Sequence, residues 1–237
     1  MLSASLLLML TLPPVEQSLE DQKYNLAWRA LSVPKGKAGA KDRAKWIIEA
    51  PALEVVQAAR AAEGRKDHAF CAQAFGAVAD RLPELKDDLG TRVLSCARKA
   101  KDDEQVKKTA TVLLLGPHRD VGLLALAGLE DRAARKVKKG ENKAEKQKAM
   151  VTSLQARAGQ CDSRWCKASI LALASGLATE EAQWVLDERL VREFSDLLAG
   201  KKAWERSRRA LKAEAKKPKG KRRPWLVELT PLSLLGR

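Results

Sequence analysis

Six cysteine or histidine residues in this chain of 237 could ligate a metal or exchange electrons: Cys71, Cys96, Cys161 and Cys166, with His68 and His118. A structural zinc site needs tetrahedral ligands on tight knuckles, normally two close cysteine pairs. Here 24 residues separate the first pair and 4 the second, and neither histidine completes a set. A thioredoxin-like redox centre needs C-x-x-C at a helix start, and that spacing is absent. Two local disulfides, Cys71 with Cys96 and Cys161 with Cys166, fit the spacing better. Four reduced thiols serving as small apolar core residues are the alternative.

Other catalytic chemistry finds little support. Both histidines fall near expected helix starts, where capping or surface positions are their ordinary use. There is no G-x-S-x-G elbow, Walker loop, dinucleotide-binding glycine fingerprint or H-E-x-x-H. PKGKAGAK has the wrong spacing for a phosphate cradle and reads as a basic loop. Acidic residues are spread along polar faces, as in DDEQ and TEEAQWVLDER. The expectation is a chain without a catalytic site, a metal or a cofactor.

The elements that position these residues are helices. Ala, Leu, Lys, Arg and Glu dominate, aromatics make up 4% and strand-favouring residues are scarce. Pro and Gly punctuation divides the chain into helical segments over 15–32, 42–50, 51–63, 67–82, 84–100, 102–115, 118–138, 141–158, 163–176, 179–199 and 201–216. Short connectors make sequential helices antiparallel neighbours. Asp67, Asp162 and Thr179 stand at N-cap positions, and Pro51 and Pro83 suit a first turn. Across the turn at Pro83, Cys71 lies 12 residues before and Cys96 13 after, so both sulfurs reach the same height in a hairpin. A crosslink there is worth roughly 3 kcal/mol in the chain-entropy account. CDSRWC then reads as a clamp on a helix end.

One internal similarity organises the chain. DHAFCAQAFGAVADRL (67–82) aligns with DSRWCKASILALASGL (162–177), offset by 95 residues. Cys71, Phe75, Val78 and Leu82 match Cys166, Ile170, Leu173 and Leu177, a 4-3-4 stripe on one helix face. Near the midpoint, PHRDVGLLALAGLEDR repeats the stripe more weakly through Val121, Ala125 and Gly128. A period in the forties with helical pairs resembles the HEAT family of α-helical repeats, with RDVGLLALAGLED and CDSRWCKASILALAS closest to its inner helix. The chain departs from the family where Gly122 and Lys167 stand in place of an Arg. The resemblance spans about residues 40–200. It implies an all-α, right-handed solenoid of stacked hairpins that binds other macromolecules, against the plainer reading of an irregular helical bundle. Some base-excising enzymes use such solenoids, and Trp184 with Asp187 would suit one. Packing of Trp184 with Val191 and Leu198 at heptad spacing is the simpler expectation.

Charge narrows the partners. The net charge of +15 favours anionic surfaces. KKAWERSRRALKAEAKKPKGKRR (201–223) holds twelve Lys or Arg against two Glu. Its candidate anion or partner contacts are Lys201, Lys202, Arg208, Arg209, Lys216, Lys217, Lys219, Lys221, Arg222 and Arg223. Its first part is expected to be helical with Trp204, Leu211 and Ala215 inward, and 217–223 reads as a basic linker. RAARKVKKGENKAEKQK (132–148) adds Arg132, Arg135, Lys136, Lys138 and Lys139 around a helix–helix turn. Aromatics rarely interleave with these runs, so stacking on single strands is not indicated.

The ends are apolar. Leu6–Leu12 is long enough for a secretory h-region and too short to span a bilayer, though no Lys or Arg precedes it. The alternative is an apolar segment, 1–14, packed on the first helix. PWLVELTPLSLLGR (224–237) should dock across the helical domain, taken as 15–216, or into a partner. Disulfides and an h-region together favour a periplasmic or secreted protein. Its expected function is binding an acidic protein or an anionic envelope polymer or lipid surface. The alternative is a cytoplasmic or nuclear protein that binds nucleic acid with reduced cysteines. A hydrolase or glycosylase on a helical repeat fold is the lesser alternative.

Overall fold

The computed structural model describes residues 31, 33–34, 40–136 and 142–218. The proposed signal segment, the first expected helix apart from Leu31, the tail at 224–237 and the cations Lys138, Lys139, Lys219, Lys221, Arg222 and Arg223 lie outside these residues.

Among the described residues the regular elements are helices, and there is no strand. They are α1 (Ala40–Glu49), α2 (Ala52–Gly64), α3 (His68–Arg81), α4 (Lys86–Ala100), α5 (Asp103–Leu113), α6 (Arg119–Arg135), α7 (Lys143–Ala158), α8 (Arg164–Leu177), α9 (Glu180–Phe194) and α10 (Leu198–Ala215). A 3₁₀ turn, Pro83–Leu85, joins α3 to α4. The all-α expectation holds, with neighbouring helices packed on one another. The chain forms two compact units that divide between Thr109 and Ala110, within α5.

In the first unit α3 is the central helix, packed against α1, α2 and α4. The Asp67 carboxylate caps it by accepting from the Phe70 amide. Phe70, Cys71, Ala74, Phe75 and Val78 are buried on α3, as are Val55, Ala58, Ala59 and Ala62 on α2 and Val93, Leu94, Cys96 and Ala97 on α4, the two helices that pack on it. The stripe of Cys71, Phe75 and Val78 therefore faces the core as its spacing requires. Chain reversal at Pro83 makes α3 and α4 antiparallel, bringing the first turn of α3 beside the last of α4.

In the second unit α8 is central, touching α6, α7, α9 and α10. Its core joins Leu123, Leu154, Cys166, Ile170, Leu171, Leu186, Leu190, Phe194 and Ala203. The two similar sequence segments are thus the central helix of each unit, although their caps differ. Ser163 rather than Asp162 caps α8, its hydroxyl accepting from the Cys166 amide. Asp162 is exposed and pairs with Arg119 at 3.3 Å. Thr179 holds the N-cap position of α9 without a side-chain bond.

Two expectations about the last helices are corrected. The helix expected over 179–199 ends at Phe194, and the chain turns before α10 begins at Leu198. Leu198 is 66% exposed and cannot continue a stripe from Trp184. The buried residues of α10 are Gly200, Ala203, Ser207 and Glu214, whereas Ala215 is exposed and Trp204 and Leu211 are only partly covered. Glu214 is held by Lys217 at 2.9 Å, which lets a carboxylate replace an apolar residue on the inner face.

Candidate functional site

Both cysteine pairs are bonded as their spacing predicts, and no cysteine is free. Cys71 and Cys96 join α3 to α4 with their Cα atoms 5.9 Å apart, and Cys161 and Cys166 close the turn before α8 at 5.8 Å. The Asp120 carboxylate braces that second turn from α6. It accepts from the amides of Asp162 at 2.9 Å and Ser163 at 2.8 Å. Burial works against its charge. The Ser163 hydroxyl, the two amides and the Arg119 guanidinium outweigh that and hold the Asp120 carboxyl below its ordinary range.

A carboxylate sits beside each disulfide: Glu63 near Cys71–Cys96, and Asp120 near Cys161–Cys166. Each trio has the donor types of a metal site. The bonded sulfurs, however, offer no thiolate, and metal ligation by cysteine requires one. The carboxylates are engaged too, Glu63 by Lys99 at 2.9 Å and Asp120 by its amides. In this form the clusters act as braces around crosslinks.

The buried acid of TEEAQWVLDER is likewise engaged. Asp187 is 3% exposed on α9. It accepts from Ser175 of α8 at 2.6 Å and from both fork nitrogens of Arg206 on α10, at 3.1 and 2.6 Å. One carboxylate thereby ties three helices together. Trp184 is buried on the same helix. His68 lies in the first turn of α3, and His118 stands at the N-cap of α6 without a side-chain capping bond.

A concentrated exposed charge lies on the cationic face of α10. At about 100° per residue, Lys201, Lys202, Arg208, Arg209, Lys212 and Lys216 fall within an arc of about 120°. That arc lies opposite buried Ala203, Ser207 and Glu214, and all six cations are exposed. Glu205 is the acid among them. Lys212 was not among the sequence candidates, but its place on the helical wheel is the signal that finds it. Lys217 sits beyond this face, paired with Glu214. In the other basic run, Arg135 forks onto Asp131 at 2.8 Å, Arg132 is partly buried and Lys136 is exposed.

A recess of about 810 Å³ opens beside this face, between the end of α9 and the first turns of α10. Val191, Arg192, Ser195, Gly200, Lys201, Trp204, Glu205 and Arg208 line it. Gly200 sets the depth. A Cβ there would stand 2.0 Å from the Phe194 carbonyl oxygen, so only glycine admits so close an approach of the two helices. Arg208 lies over the Trp204 ring at 5.1 Å, and Arg192 reaches Glu188 only at 3.9 Å. The recess requires a turn at 195–197, which the expected continuous helix hid. No family model, curated protein or solved structure matches the chain.

Proposed function

We propose that the chain is a non-enzymatic binding scaffold of an oxidising, extracytoplasmic compartment that engages an acidic protein or an anionic envelope component. The observation that carries the reading is the cationic face of α10, where six exposed Lys or Arg share one side of a helix. Like charges at that density repel one another and are relieved by an anionic partner. The two disulfides support the compartment, since such bonds persist where the surroundings oxidise. Among the described residues no helix is long and apolar enough to cross a membrane. HEAT-like stacking is part of the proposal. Asp120 of α6 binds the turn that starts α8, and Arg164 at the start of α8 meets Asp196 just past α9. These contacts give α6 and α8 the same sense and α8 and α9 opposite senses, as successive hairpins of a repeat require.

The test compares the full chain with Lys202→Glu/Arg209→Glu/Lys216→Glu for binding to polyglutamate, phosphatidylglycerol vesicles and duplex DNA at rising salt. All three positions are exposed, so the variant folds. It should lose at least about tenfold in affinity for polyglutamate or the vesicles, with the wild-type affinity falling as salt screens the contacts. Unchanged binding by the variant would contradict the proposal. A strong preference for the duplex would favour the nucleic-acid alternative.

A further inference from the structure

The outward row of cations shares Lys201 and Arg208 with the recess beside it, but the two differ in shape, and shape separates their ligands. A bilayer or a duplex backbone presents phosphates on a broad flat or convex surface, which a row of projecting side chains can touch. The recess between α9 and α10 is concave and half open to solvent, with a volume in the range of ligand pockets. Its wall combines three cations, Arg192, Lys201 and Arg208, with apolar surface from Trp204 and Val191. Trp204 is only partly covered and stands immediately beside the charges. Glu205 adds an acceptor to the lining, which disfavours a multiply charged phosphate and suits a peptide N–H.

We infer that the α9–α10 recess receives an acidic side chain together with an adjacent apolar one from a partner polypeptide. The carboxylate lies between the guanidinium forks of Arg192 and Arg208, and the apolar neighbour packs on Trp204 and Val191. Guanidinium forks suit a planar carboxylate, and the indole supplies area at small entropic cost. This inference rests on the reading of α10 as a partner-contact face and narrows it to one class of partner. It also gives the mixed lining a purpose that bare charge attraction does not require.

The experiment uses the full chain with its disulfides intact and two capped peptides of equal length and charge, one alternating Glu with Leu and one alternating Glu with Ala. The Glu-Leu peptide should bind at least about tenfold more tightly, as burial of leucine side chains allows. Trp204→Ala and Arg208→Ala should each remove that preference, and Arg192→Ala should weaken the Glu-Leu peptide. All three side chains are at least partly exposed, so the variants retain the fold. The outward-face variant Lys202→Glu/Arg209→Glu/Lys216→Glu should weaken both peptides alike and leave the preference standing. Equal binding of the two peptides, or a preference that survives Trp204→Ala, would overturn the inference, as would displacement of Glu-Leu by equimolar inorganic phosphate. Should the peptides bind equally yet both weaken in the outward-face variant, the recess fails and the cationic face stands. If that variant changes nothing, the reading of the face itself fails.

Discussion

At Asp187 a buried charge is made tolerable by an arginine that can still reach water. Asp187 has 4% of its side chain exposed, whereas Arg206 keeps 35%. That asymmetry predicts unequal costs. Arg206→Ala strands a carboxylate in the core with only Ser175 to hold it, and about 3 kcal/mol is expected for such an orphan. Asp187→Ala leaves a guanidinium that swings out to solvent, so its cost is smaller. Denaturant melts of the two variants check this, and equal losses would contradict the assignment. Asp120 makes a second prediction, in pH. Its folded pKa is depressed, so its stabilising effect is present above the ordinary aspartate value near 4 and is lost as pH falls through the folded value. The thermal midpoint of the wild type should exceed that of Asp120→Asn at pH 6, with the gap narrowing below about pH 4. A gap unchanged down to pH 2 would contradict it.

Among the helices, glycine marks where packing is closest. Gly200 sits in the first turn of α10 against the carbonyls of Phe194 and Leu190, so its Cβ cannot be accommodated without parting α9 from α10. Gly128 lies in α6 with nothing within 4 Å of an added Cβ. Alanine favours a helix over glycine by up to about 1 kcal/mol, and at Gly128 that preference acts unopposed. Gly128→Ala should therefore stabilise by about that much, while Gly200→Ala should cost about 2 kcal/mol or more as crowding outweighs propensity. Urea melts give both signs, and stabilisation by Gly200→Ala would refute the close junction that shapes the recess. Helix positions were largely legible in the sequence because apolar stripes and Pro or Gly breaks follow the chain locally, as from Cys71 to Val78 and at Pro83. The disulfide partners were legible for the same reason: each pair is close in sequence. The turn at 195–197 was not. Trp184, Val191 and Leu198 keep heptad spacing straight across it, and no Pro or Gly marks it. The inward face of α10 was hidden too, because Glu214 and Ser207 occupy buried positions that polarity alone assigns to solvent.

For the whole molecule, chemistry and compartment stand on the same bonds. Each compact unit holds one crosslink at its central helix, Cys71–Cys96 at α3 and Cys161–Cys166 at α8. In the chain-entropy account these contribute roughly 3.5 and 2 kcal/mol. Under the proposed function the cationic face acts in an oxidising compartment, where such bonds persist. The most direct measurement is disulfide mapping by mass spectrometry on protein from its native host, alkylated before any reduction. The account predicts four unalkylated cysteines and two linked peptides, one joining Cys71 to Cys96 and one carrying Cys161 bonded to Cys166. Four alkylated thiols, or a bond between Cys71 and Cys161, would contradict it.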